Sequence, residues 1–234
     1  MKERKATDRG EERRSLSRRD FLKVSKNAAF GAVVVGAFHE LIWLDDAIAA
    51  IPASGGYLLV DMRKCQGCMT CMLACSLVHE GRENLSLARI QVLQDSFQRF
   101  PNDVTLAQCR QCVEPACVEA CPTQALHVDR ENGNIRRVDG EKCIGCKSCI
   151  KACPHTPSRA VWDSEGERAQ ICDVCSHTPF WNETGGPDGK QACVEVCPVG
   201  AIRFTKDIPV QEGEKGYNVN LSGEGWRKLG YDID

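Results

Sequence analysis

A chain of 234 residues has room for one or two ordinary domains, but only 6% of it is aromatic and 42% hydrophobic, sixteen of those residues being cysteine. Apolar burial alone therefore leaves much of the chain without an organiser. The net charge is −2 and unevenly spread: residues 1–23 carry nine Lys/Arg against five Asp/Glu, and residues 50–234 carry twenty against twenty-four. The body lacks the basic stripe that phosphate contacts need, which excludes nucleic acid as a partner.

In chain order the first feature is an address. Ser17-Arg18-Arg19-Asp20-Phe21-Leu22-Lys23 leads into an apolar run from Ala28 to Phe38, and Ala47-Ile48-Ala49 offers a small-x-small cleavage site. Residues 1–50 read as an export signal, and the paired arginines resemble the twin-arginine type. The run is shorter than the ~20 residues a spanning helix needs. The expected location is the periplasm or the outer face of the cytoplasmic membrane. A cysteine-rich exported chain is by default a disulfide scaffold. The twin-arginine route resembles one that carries folded, cofactor-loaded proteins, whose ligated thiols are beyond the reach of disulfide chemistry.

Tyr57 to Asp61 reads as a first strand and leads into four cysteine groups. The first is Cys65-x2-Cys68-x2-Cys71-x3-Cys75, and the second is Cys109-x2-Cys112-x4-Cys117-x3-Cys121-Pro122. The third is Cys143-x2-Cys146-x2-Cys149-x3-Cys153-Pro154, and the fourth is Cys172-x2-Cys175-x17-Cys193-x3-Cys197-Pro198. No cysteine is left over. Groups one and three match the bacterial ferredoxin run. Three thiolates two residues apart wrap one face of a cubane, and the fourth, expected to start a short helix, completes a different cluster. Such motifs work in pairs, so four imply two units and four [4Fe–4S] clusters. Zinc uses separated cysteine pairs around one tetrahedral ion. Only group four, as Cys172/Cys175 and Cys193/Cys197, can be read that way.

Ala125–Asp129 and Ile135–Asp139 flank a glycine-containing turn and predict a hairpin. Ala201–Phe204 repeats the strand after group four. The predicted fold is α+β: two ferredoxin-like units of short strands and short helices around four clusters. Its segments are 1–50 signal, 51–207 four-cluster domain (groups 65–75 with 172–197, and 109–121 with 143–153), and 208–234 extension.

The four groups together resemble the four-cluster ferredoxin subunits of multi-subunit oxidoreductases, such as those of dimethyl sulfoxide, polysulfide and nitrite reductases. Cys109-Arg-Gln-Cys112-Val-Glu-Pro-Ala-Cys117, with Pro115 in its x4 gap, is the specific feature. Ser76 to Gly81 followed by Ser86 to Ile90 resembles the variants accompanying tungsten- or molybdenum-dependent aldehyde oxidoreductase-type subunits. The resemblance implies nested ligation: Cys65, Cys68, Cys71 and Cys197; Cys172, Cys175, Cys193 and Cys75; Cys109, Cys112, Cys117 and Cys153; Cys143, Cys146, Cys149 and Cys121. It also implies a non-catalytic wire between a molybdopterin or tungstopterin catalytic subunit and a membrane quinone-linked subunit or cytochrome. A freely diffusing polyferredoxin is the alternative. Two departures stand out: Ser76 follows Cys75 where proline is usual, and the x17 gap predicts a projecting loop over Ser176–Ala192.

No histidine joins a catalytic constellation. His155 can donate to a cluster sulfur, although a solvent-facing loop residue is the plainer reading. His79 and Glu80 fit either a partner contact or turn chemistry. Phe180 and Trp181 serve equally as an interface anchor or as a cover over buried thiolates. Arg136, Arg137, Lys147 and Lys151 read as solvated faces. The tail with Trp226 and Tyr231 packs on this subunit or on a neighbour.

Overall fold

The computed structural model describes residues 51–213, 215–223 and 228–230. The signal reading of residues 1–50, Trp226 and Tyr231 lie outside the described residues. These described residues cluster as one compact unit. The described residues form a mixed α+β structure with eight strands: β1 (Tyr57–Val60), β2 (Ile90–Gln94), β3 (Val104–Gln108), β4 (Leu126–Asp129), β5 (Ile135–Val138), β6 (Val161–Asp163), β7 (Arg168–Gln170) and β8 (Ile202–Thr205). The α-helices are α1 (Thr70–Glu80), α2 (Ala116–Glu119), α3 (Ser148–Ala152) and α4 (Ala192–Glu195).

The strands pair only as antiparallel couples: β1 with β8, β2 with β3, β4 with β5, and β6 with β7. β1 precedes group one and β8 follows group four, so the register Tyr57↔Thr205 to Val60↔Ile202 draws the outer groups together. β4 and β5 lie between groups two and three, with Leu126↔Val138 and Asp129↔Ile135 at the ends of the register. Their turn is built by Asp129, whose Oδ1 accepts the N–H groups of Glu131 and Asn132. Asp163 repeats the device for β6–β7, accepting from Glu165 and Gly166.

All four residues of β1 are buried. Leu58 and Val60 face one apolar cluster with Cys71, Cys75, Cys172 and Cys193. Tyr57 and Leu59 face another with Tyr217. The residues after Asp207 thus supply a cover for the first strand: Val60 N–H donates to Tyr217 O, and Val219 N–H donates to Val60 O, both at 2.8 Å. A separate cluster of Leu126, Cys149, Ala160, Ala169 and Ile171 gathers Cys109, Cys117, Cys121 and Cys143 from groups two and three. Cysteine is part of every large apolar cluster, which is how so few aromatics suffice.

The helices differ from the expectation. α2, α3 and α4 each begin one residue before the third cysteine of their group. Their fourth cysteines, Cys121, Cys153 and Cys197, lie at or beyond the helix end rather than starting a helix. The following proline has no N–H and clashes with the preceding turn, so the helix stops. After Cys75 the residue is Ser76, and α1, eleven residues in all, runs on through Glu80 to a left-handed Gly81 cap. Ser76 is fully buried; its hydroxyl donates to Leu73 O and accepts the Asn84 N–H, both at 3.0 Å. The serine therefore both permits the long helix and pins the returning chain against it.

Candidate functional site: four cysteine sets

The loops of groups one and three share one backbone path. Gly67 and Gly145 have φ of 68° and 70°, and Met69 and Lys147 follow at 62° and 60°. A side chain at Gly145 would meet Glu167 O at 2.8 Å, so glycine is required there by conformation and by space. Alternating left-handed residues aim successive N–H groups inward, which makes an anion-binding concavity.

Three hollows are each lined by four cysteines. One holds Cys65, Cys68, Cys71 and Cys197. A second holds Cys109, Cys112, Cys117 and Cys153. A third holds Cys121, Cys143, Cys146 and Cys149. Counting the space at their mouths, they measure about 320, 400 and 330 Å³, sizes close enough for one repeated occupant. The remaining four, Cys75, Cys172, Cys175 and Cys193, form the most buried group; burial pushes the Cys193 thiol well up, and Cys175, Cys172 and Cys75 add to it. The fourth cysteine of each group thus lies with the first three of another.

The donor chemistry is uniform. Each fourth cysteine receives a backbone N–H on its sulfur: Cys75 from Arg89 at 3.3 Å, Cys121 from Leu126 at 3.3 Å, Cys153 from Arg159 at 3.3 Å and Cys197 from Ala201 at 3.2 Å. At Cys71, Cys117 and Cys175 burial and neighbouring thiols oppose ionisation. The Cys71 thiol is pushed up to about 12 by burial and by Cys65, Cys197 and Cys68; Cys117 and Cys175 also rise to about 12, again chiefly by burial. Clustered thiols in this state become thiolates when a bound cation inverts the balance. Among the described residues, no group of His, Cys, Asp or Glu is arranged to hold a single metal ion. Four thiols around one hollow are the donor set that a [4Fe–4S] core takes.

Family profiles match in the same places: a 4Fe-4S dicluster domain over residues 102–207 and a 4Fe-4S binding domain over residues 63–78. An Escherichia coli putative electron transport protein is 34% identical over 63% of this chain and 87% of its own. The polyferredoxin-like subunit of an aliphatic sulfonate oxidoreductase from Pyrococcus furiosus is 38% identical over 60% and 70%. The electron transfer subunit of a Salmonella typhi thiosulfate reductase is 34% identical over 63% and 73%. The chain belongs to the 4Fe-4S electron-transfer subunits of oxidoreductases.

For a member of this family the surroundings of the cysteines matter as much as the cysteines, and several were hidden in the sequence. His79 is buried, with Nε2 2.9 Å from Asp173 Oδ1 and Nδ1 2.8 Å from Cys75 O and 3.8 Å from Cys75 Sγ. Arg89 donates to Asp173 Oδ2 at 2.7 Å. Both ring nitrogens of His79 face oxygen acceptors, so the doubly protonated ring fits the geometry. Although burial opposes the charge, hydrogen bonds to Asp173 and Cys75 win and raise its pKa to about 9. Burial likewise opposes the Cys75 thiolate, but His79 and Arg89 outweigh it and lower the thiol's pKa. His79 is thus an internal group, explained neither by a partner nor by a turn.

His155 Nε2 lies 3.8 Å from Cys112 Sγ, the hydrogen-bonding position rather than a solvent-facing one. Burial, then Arg159 and Arg110, lowers its pKa and keeps it neutral. Arg136 is not a solvated face: it is 1% exposed and donates to Asn134 O and Cys112 O at 2.7 Å. Lys147 lies over the Trp162 ring at 4.1 Å. The Phe180–Trp181 pair divides: Trp181 packs beside Cys175, Val78 and Ala192, while Phe180 is exposed. Their loop is tied down instead of projecting freely, with Phe180 N–H donating to Val78 O and Gly186 N–H to Val174 O.

Proposed function

We propose that the sixteen cysteines ligate four [4Fe–4S] clusters in the four sets described, organising residues 51–207 as two ferredoxin-like units, and that the chain is a non-catalytic wire in an oxidoreductase complex. Each cluster, when bound, supplies a one-electron acceptor and donor. The carrying observation is the convergence of four sulfurs on each of four places, with a backbone N–H on every fourth sulfur.

The adjacency of the sets supports a path. Cys71 contributes to the upward push on Cys193, linking the first set to the buried one. Cys172 contributes to that on Cys109, and Cys149 to that on Cys117, which continues the line. Cys68 and Cys146, on the end sets, are the exposed cysteines, which suits electron entry and exit there. Fully cysteinyl sets leave no open iron for a substrate.

The relatives named for thiosulfate reductase and sulfonate oxidoreductase support a fixed catalytic partner. We take that partner to be a molybdopterin or tungstopterin subunit, with a quinone-linked subunit or cytochrome at the other end. Residues 1–50 act as a twin-arginine-type signal and residues 208–234 as an extension, so the loaded protein works in the periplasm or on the outer face of the cytoplasmic membrane. The signal is tested by replacing Arg18 and Arg19 with lysine, after which the loaded precursor stays in the cytoplasm.

The test of the whole reading is anaerobic purification followed by iron and sulfide analysis, with about sixteen of each expected per chain. A colourless, iron-free chain that remains folded sinks it. Co-elution of a large subunit separates the complex from a freely diffusing polyferredoxin.

A further inference from the structure

Gln111, in the first spacer of group two, joins two of the hollows. It is 1% exposed, and its backbone is left-handed at φ 49°. A buried primary amide needs partners for its carbonyl and both N–H donors. Its Oε1 accepts the Arg136 N–H at 2.7 Å. Its Nε2 donates to Cys172 O at 2.7 Å, with Arg136 O at 3.5 Å and Cys109 Sγ at 3.9 Å as further contacts. Its backbone N–H points at Cys109 Sγ from 3.5 Å. One side chain thus bonds the main chain of a cysteine in the buried set and reaches the sulfur of a cysteine in the next. The left-handed backbone is what lets the amide and the side chain serve both.

We propose that Gln111 is a positioning residue for electron passage between the two middle cysteine sets, Cys75/Cys172/Cys175/Cys193 and Cys109/Cys112/Cys117/Cys153. This rests on the ligation proposed above. Its short hydrogen bond fixes Cys172 relative to Cys109 and completes a covalent and hydrogen-bonded route between them. Its two N–H groups favour the more negative, reduced state at Cys109 Sγ. The step carries one electron, which one set loses as the other gains it; no bond breaks and no proton is needed.

Gln108 is an internal control. It is also fully buried and donates to Leu58 O at 3.2 Å. Among the described residues its side chain donates to no cysteine, so its loss removes a buried amide one residue before Cys109 without taking a hydrogen bond from either set.

The experiment compares full-length Gln111→Met and Gln108→Met, purified anaerobically, by iron content, by potentiometric titration followed with electron paramagnetic resonance, and by the rate of internal electron redistribution after flash reduction. Gln111→Met is expected to keep the parent's iron. It should lower the reduction equilibrium of the Cys109 set by up to about tenfold, about 59 mV for one electron, and slow redistribution between the middle sets. The end sets and Gln108→Met should behave as the parent does. Should Gln111→Met fail to load iron, Gln111→Asn, whose shorter amide withdraws from Cys172 O, carries the same comparison. Parent-like potentials and rates in the Gln111 variant that loads, or equal changes in Gln108→Met, overturn the inference. A parent chain without iron overturns the ligation reading instead.

Discussion

The half built from groups one and four and the half built from groups two and three share the same loops but differ in what surrounds them. In the second, prolines after Cys121 and Cys153 cut the helices to a turn or so, and the buried charges near the hollow are arginines with a neutral His155 on Cys112. In the first, Ser76 lets α1 run two turns further, and those turns carry His79 and Glu80 back onto Asp173 and Arg89. One residue after a ligand thus decides whether a charge network can reach that ligand. Cys75 is the buried cysteine whose thiolate such a network favours.

The largest test bears on what the halves share. Cys121→Ser is expected to destroy or convert the cluster held by Cys143, Cys146 and Cys149, about a quarter of the iron, and to spare that of Cys109, Cys112 and Cys117. Iron analysis and resonance spectra check it; loss confined to group two's own cluster refutes crossed ligation.

The remaining tests bear on the difference. Asp173→Asn leaves His79 and Arg89 without their buried counter-charge and should cost about 3–5 kcal/mol. In the other half Asp129→Asn loosens a partly exposed pair with Arg137 and should cost about 1 kcal/mol or less. Denaturant midpoints of the loaded protein measure both, and equal losses break the comparison. Ser76→Pro should shorten α1 toward the helices of the other half and cost about 3 kcal/mol, visible as lost far-ultraviolet helix signal.

The pH dependence is a finer probe. His79 has a folded pKa of about 9 against the ordinary histidine value of 6.5, so its contribution is complete below pH 6.5 and is lost as pH rises through 9. Stability should therefore fall by about 2–3 kcal/mol across that window, and His79→Gln should remove this part of the slope. A His79→Gln chain with the parent's slope denies the histidine this role.

The cysteine spacing carried most of the site, because ligands at fixed short intervals impose their own loop. The strands Tyr57–Val60, Leu126–Asp129, Ile135–Val138 and Ile202–Thr205 were legible from residue type and turn signals. The β2–β3 pair was not: its connection from Asp95 to Asp103 is too long for a short-turn signature. The length of α1 was hidden because the cysteine pattern drew attention to a helix stop that Ser76 does not make. The His79–Asp173 contact spans 94 positions and the Gln111–Cys172 contact 61, and no local period reports such partners. Arg136 looked like a surface residue because its partners are main-chain carbonyls, which a sequence does not display.

The two-sided burial of β1 sets a timetable for biogenesis. Its neighbour β8 and its cover at Tyr217–Val219 follow all sixteen cysteines along the chain, so the half that contains Cys65 to Cys75 cannot close until these later segments have left the ribosome. The inner half, complete by Gln170, has all its sulfurs available earlier. Cofactor delivery is therefore expected to proceed from the inside outward, with closure of β1 marking a finished molecule.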